Sequence, residues 1–119
     1  MANDFKRIAT PNVSNSSNTT IYAVPAGAGS TALESIVIGI TMCNKSSAGI
    51  TASVFLDNED ASNDVFIVKD ASIPAGSSLE IMSGNKLVLM NDGSNADNLE
   101  AIASAASALD VTVSVLEDV

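Results

Sequence analysis

The stretch Leu109-Asp110-Val111-Thr112-Val113-Ser114-Val115-Leu116 alternates apolar and polar side chains with a period of two. Successive side chains of a β-strand point to opposite faces. Leu109, Val111, Val113 and Val115 therefore line a buried face, with Asp110, Thr112, Ser114 and Leu116 turned outward. Working back from this strand, Leu99 to Ser107 is rich in alanine and favours helix locally, yet Leu99, Ala101 and Ala103 also alternate and read as a strand. Ile36, Ile38, Ile40 and Met42 alternate with Val37, Gly39, Thr41 and Cys43, which suits a long strand buried on both faces. Ile50 to Asp57 is a strand with one wetter face, Val65 to Lys69 another, and Ile21 to Val24 a short one. Leu79 with Ile81 and Leu87 with Leu89 flank Ser83-Gly84-Asn85 and read as a hairpin. Seven to eight short strands parted by Gly, Asn, Asp and Ser turns, with no helix signal, predict an all-β, single-domain β-sandwich or jelly-roll-like fold.

The tripeptide Pro-Ala-Gly occurs at Pro25-Ala26-Gly27 and again at Pro74-Ala75-Gly76, each time just ahead of an apolar stretch. Proline fixes φ and glycine tolerates positive φ, so each copy predicts a tight corner feeding a strand. The likeness ends after the strand that follows, so it reads as recurring corner geometry and not as a duplication.

Residues 1–19 are polar and aperiodic, and Asn12 to Thr20 is almost wholly Ser, Thr and Asn. The expected organisation is an extended N-terminal arm over 1–19 and the sandwich over 20–119. Such an arm is disordered alone; its own sheet edge or a neighbouring subunit would order it. Phe5 is its hook, and Phe5, Lys6, Arg7 and Ile8 are the candidate partner-binding residues.

Of the 119 residues, 46% are apolar and only 3% aromatic, so the core is expected from Val, Ile, Leu and Ala, with Phe55 and Phe66 as its large members. A net charge of −9, from five Lys and Arg against fourteen Asp and Glu, cannot supply a basic stripe for nucleic acid. No apolar run approaches the roughly 18 residues of a membrane helix. Lys6 and Arg7 have no apolar segment behind them, which argues against a secretory signal. The Asn-x-Ser/Thr sequons at Asn12, Asn15, Asn18 and Asn44 then follow from polar composition.

Histidine is absent and Cys43 is the single cysteine, which removes Ser-His-Asp and Cys-His catalysis, histidine-ligated zinc and an internal disulfide. Cys43 reads as a small core residue. The loop Asp57 to Asp64 has the carboxylate density calcium favours, but Ala61 and the lack of a glycine break the known loop pattern. It reads as a solvated hairpin tip, as does Asn91 to Asn98. Neither paired carboxylates in a cleft nor a phosphate-cradling loop is legible. No catalytic residue, metal site or cofactor is expected.

Four stretches carry a resemblance: Met1-Ala2-Asn3-Asp4-Phe5-Lys6-Arg7, Thr20 to Gly27, Val68 to Leu79, and Ala108 to Glu117. Each resembles small virion structural proteins of tailed bacteriophages, most of all those of phages that infect cyanobacteria. The resemblance implies a non-enzymatic particle component present in many copies, located in the virion and assembled in the host cytoplasm. The leading expectation is a capsid decoration (cement) protein, a homotrimer. Its arm and acidic sandwich would bind the major capsid protein at capsomer junctions, without nucleic acid or membrane as partner. Alternatives are a neck, tail or baseplate protein of the same virion, and a receptor- or carbohydrate-binding module, which the scarcity of aromatics disfavours.

Overall fold

The computed structural model describes residues 3–57, 64–82 and 86–118. They form nine strands: β1 (Asn3–Thr10), β2 (Thr19–Ala23), β3 (Leu33–Asn44), β4 (Ile50–Asp57), β5 (Asp64–Ile73), β6 (Ser78–Glu80), β7 (Leu87–Asn91), β8 (Asn98–Ala103) and β9 (Leu109–Asp118). The first sheet runs β1-β9-β3, with β6 and β7 both paired to the far side of β3. The second runs β2-β8-β4-β5. All pairings within both sheets are antiparallel. The chain crosses between the layers in the order of two Greek keys, which is jelly-roll topology.

The expected sandwich is present, with one more strand than expected. The extra strand is β1, drawn from the polar N-terminal segment and paired with β9 along its whole length, from Asn3↔Asp118 to Thr10↔Val111. Val13, just beyond it, is fully buried and donates its N–H to the Leu109 carbonyl at 2.9 Å.

β9 behaves as its alternation demands, with Leu109, Val111, Val113 and Val115 buried. β3 does not. Its register with β9 slips between Val37 and Gly39, so Ile38 is a bulged residue with no partner on β9. Leu33, Ser35 and Val37 face inward before the bulge, and Ile40, Met42 and Asn44 after it. The expectation of unbroken alternation is corrected here, because a one-residue insertion exchanges the two faces. Ile36 and Ile38 thereby point outward, Ile38 with 44% exposure.

β6 and β7 are not a hairpin. Thr41–Cys43 of β3 pairs with β6, and Leu33–Val37 of the same strand pairs with β7. One strand position of the jelly roll is thus split in two, and Ser83–Asn85 between the halves lies outside the described residues. Glu80 fills the gap: its carboxylate accepts from Ile40 N at 3.1 Å, Met82 N at 2.9 Å and Thr41 Oγ1 at 2.8 Å. Burial pushes that carboxyl up, but the three hydrogen bonds outweigh it and hold Glu80 below its ordinary value.

Leu99 to Ala103 is a strand despite its alanines, since β2 and β4 supply ladders on both sides. Local propensity of a few tenths of a kcal/mol per residue does not compete with two ladders and a buried face. Phe66, expected in the core, lies half-exposed on the outer face of the second sheet, and Phe55, buried as expected at 4% exposure, points to that same face. Val54 and Ala101 take the inward positions, leaving Phe55 and its partners Phe66 and Glu100 outside. Cys43 is half-buried opposite Asp110 on the outer face of the first sheet, not in the core.

The two Pro-Ala-Gly corners both carry the chain from the second sheet to the first, β2 to β3 and β5 to β6. Each is preceded by a buried apolar residue, Val24 or Ile73, whose carbonyl accepts from a buried asparagine. Asn91 Nδ2 reaches Val24 at 2.8 Å and Asn44 Nδ2 reaches Ile73 at 3.0 Å. A carbonyl buried ahead of a proline has left its ladder and needs such a donor. The turns themselves differ. Ser77 N closes on the Pro74 carbonyl over Gly76 at φ 69°. In the first copy the turn starts at Gly27, with Gly29 at φ 71°.

Candidate functional site: two opposed outer faces

Antiparallel partners project to the same side of a sheet. Phe5 pairs with Leu116, Leu116 with Ile36, and Ile36 with Val88. These four apolar side chains therefore form one row crossing β1, β9, β3 and β7 on the outer face of the first sheet, about 14 Å long at the usual strand spacing. Phe5 is 74% exposed and Val88 56%. Ile38 and Met90, also exposed, border the row on either side. Four of the six large apolar residues that the described part of the chain exposes lie here. Contiguous exposed apolar surface marks interaction sites.

The four N-terminal candidate residues part company on β1. Phe5 and Arg7 point outward with Leu116 and Ser114; Lys6 and Ile8 point inward with Val115 and Val113. Ile8 packs against the core. Lys6 Nζ lies 2.9 Å from Oε1 of Glu117, a carboxylate with 1% exposure. Glu117 Oε2 accepts the Tyr22 hydroxyl at 2.6 Å. With that proton committed, Ser35 Oγ donates to Tyr22 Oη at 2.7 Å. Tyr22 belongs to the second sheet and Glu117 to the first, so the network ties the layers together where β1 and β2 flank a shallow depression of about 370 Å³. Burial and then the Glu117 hydrogen bond push the Tyr22 phenol far above its ordinary value, and Glu117 likewise raises Lys6.

The outer face of the second sheet carries a cluster of acids at one end and an aromatic pair beside it. Asp57, Asp64 and Glu100 gather at one end, where burial first, then the two aspartates, raise the Glu100 carboxyl. Beside them Phe66, half-exposed on edge strand β5, tilts against buried Phe55 with ring centroids 5.7 Å apart. Lys69 Nζ stands 5.3 Å from the Phe66 centroid. β5 is bulged twice against β4. At one bulge Asp70 takes φ 50° and donates its N–H to Ser53 Oγ at 2.8 Å.

Among the described residues no three His, Cys, Asp or Glu side chains are placed to hold a metal ion. Most of the acidic loop, residues 58–63, lies outside the described residues. In the Asn91–Asn98 loop the Asp92 carboxylate is used internally, accepting from Ser94 N at 2.8 Å and Asn95 N at 2.7 Å. The outward row is not legible in the sequence because β3 and β7 are apolar at both parities; of its members, alternation places only Leu116 outside.

No protein-family model matches the chain, and no curated protein matches it. Solved structures share its fold. One comes from Bacillus endospore appendages, which form disulfide-linked pili; the match covers 98% of this chain and 85% of the other, at 12% identity and a TM-score of 0.51. Another is a chain of the T13 infectious bursal disease virus particle, covering 97% of this chain and 30% of the other, at 11% identity and 0.52. The Gx strain of that virus matches at 12% identity and 0.50, covering 97% and 32%. This chain spans about a third of the viral chains' length. At such identity the likeness is one of fold.

Proposed function

We propose that the chain is a non-enzymatic structural protein of a virus particle, decorating the outside of a tailed-phage head. The observation that carries this reading is the apolar row Phe5–Leu116–Ile36–Val88 on an otherwise acidic jelly roll. The row would settle onto the shell at capsomer junctions, formed by the major capsid protein. Arg7 beside it supplies a cation, and the acidic second face is left toward solvent. A patch this small falls short of the roughly 800 Å² per partner of a stable pairwise interface. Many copies, assembled as trimers and docked on a repetitive surface, would gain by avidity what each contact lacks. Likeness of fold to viral-particle and pilus chains supports a structural role. The resemblance of four sequence stretches to small phage virion proteins supports the particle.

The test is decoration of purified heads by the wild type and by Ile36→Thr/Val88→Thr. Both positions face outward and threonine keeps β propensity without adding charge, so the variant should stay folded and lose binding. Undiminished decoration by the folded variant removes the row from the mechanism. Copy number in a particle reconstruction separates head from neck or tail: hundreds of copies support decoration, and a few to tens transfer the protein to a neck, tail or baseplate ring.

A further inference from the structure

We propose that the outer face of the second sheet carries a binding site for a neutral saccharide, in the cavity of about 320 Å³ built on Phe55 and Phe66. The chain holds three phenylalanines and no tryptophan, and two of the three meet in this cavity. Phe55 forms the buried floor and Phe66 stands half-exposed as a wall. Both rings belong to the outward parity of their strands, so the main core does not use them.

The rim decides the class of ligand. Asp64 and Asp70 contribute carboxylates, Lys69 an ammonium and Asn18 an amide, so acceptors and donors of both signs converge on one apolar surface. An anionic ligand meets Asp64 and Asp70, with Asp57 and Glu100 behind them. A cationic ligand meets the Lys69 ammonium beside the Phe66 ring. A neutral polyhydroxyl ring satisfies the whole set. Its C–H face lies on the half of Phe66 that Lys69 and Phe55 leave exposed, and its hydroxyls donate to the carboxylates and accept from Lys69 and Asn18. A mostly apolar cavity with a few convergent polar groups is the usual form of a small-ligand site, and this volume lies at the lower end of the usual range.

The backbone adds a second observation. Both register slips of β5 fall here, one on each side of Val68. Asp70, a non-glycine residue, is held at φ 50° by its hydrogen bond to buried Ser53. Bulges beside functional sites re-aim side chains, and strained φ persists where the surroundings over-determine it. Here the slips leave Lys69 on the face of Phe66, where regular pairing would put the two on opposite sides.

The experiment uses the full chain free of particles, so its outcome is independent of head binding. A glycan array of neutral and acidic saccharides is followed by an NMR titration with the strongest neutral glycan. The expected result is binding confined to neutral glycans, with amide shifts at Phe66, Lys69 and Asp70. Phe66→Ala and Phe66→Leu should each weaken it by roughly tenfold or more while keeping the melting temperature, and Asp64→Asn should weaken it less. No neutral glycan bound on the array, hits confined to anionic glycans, or binding unchanged in Phe66→Leu would each overturn the proposal.

Discussion

Tyr22 is the chain's single tyrosine, and its hydroxyl reaches from the second sheet to Glu117 and Ser35 of the first. Its phenol is raised well above the ordinary value near 10, by burial and then by the carboxylate it serves. A raised folded-state value means the stabilisation is complete below that ordinary value and drains away as pH climbs past it. Lys6, also raised, adds to the loss in the same direction. Tyrosinate absorbance should therefore not develop near pH 10 in the folded protein, but together with alkaline unfolding. A free phenol titrating at about pH 10 with the far-ultraviolet circular dichroism unchanged would show that the network does not hold in solution. Tyr22→Phe leaves Glu117 Oε2 without its donor and should cost about 1–3 kcal/mol at neutral pH, read from the urea midpoint. None of this was legible in advance: Lys6 and Glu117 lie over a hundred positions apart, and only the β1–β9 register brings them to one face.

Strand β3 shows how far periodicity carries. Both of its parities are apolar, so alternation could not say which residues face in, and the bulge at Ile38 reverses the answer midway. Ile40 is fully buried and Ile38 is 44% exposed, although the two share one parity in the sequence. Ile40→Ala should cost about 2–5 kcal/mol and Ile38→Ala no more than about 0.5 kcal/mol; equal shifts in urea midpoint would refute the bulged register. The faces of β9 are legible because its polar and apolar residues separate cleanly. The expected β6–β7 hairpin does not form, and sequence could not exclude it, because a Ser-Gly-Asn turn between apolar pairs has the same local chemistry whether or not its flanks pair. At the edges, β5 is interrupted by two bulges and β1 carries the inward cation Lys6. Both are devices that discourage edge-to-edge pairing, leaving sheet faces as the surfaces for contact.

At the scale of the whole molecule, acids lie on both outer faces, Glu34, Glu80 and Asp110 on the first and Asp57, Asp64 and Glu100 on the second, where their crowding helps to raise Glu100. The apolar row belongs to the first face alone. A net charge of −9 on a jelly roll of this size implies self-repulsion in the folded state. Raising ionic strength from about 0.01 M to about 0.15 M shortens the screening length from about 30 Å to about 8 Å. The melting temperature should rise with it, and a flat or falling response would show that the acids are already offset.

Composition and patterning alone determined the class of this protein: an all-β acidic sandwich without histidine chemistry, with corners at its prolines. Those properties are local, since a strand's faces and a turn's backbone depend on neighbours within a few residues. The rest was decided by the tertiary structure. Register placed Phe5, Leu116, Ile36 and Val88 in one row, turned Lys6 onto a buried carboxylate, and set buried Phe55 and half-exposed Phe66 together on the outer face of the second sheet. A single bulge exchanges the faces of the later residues of its strand, and the pairing partner that makes the bulge lies far away in the chain.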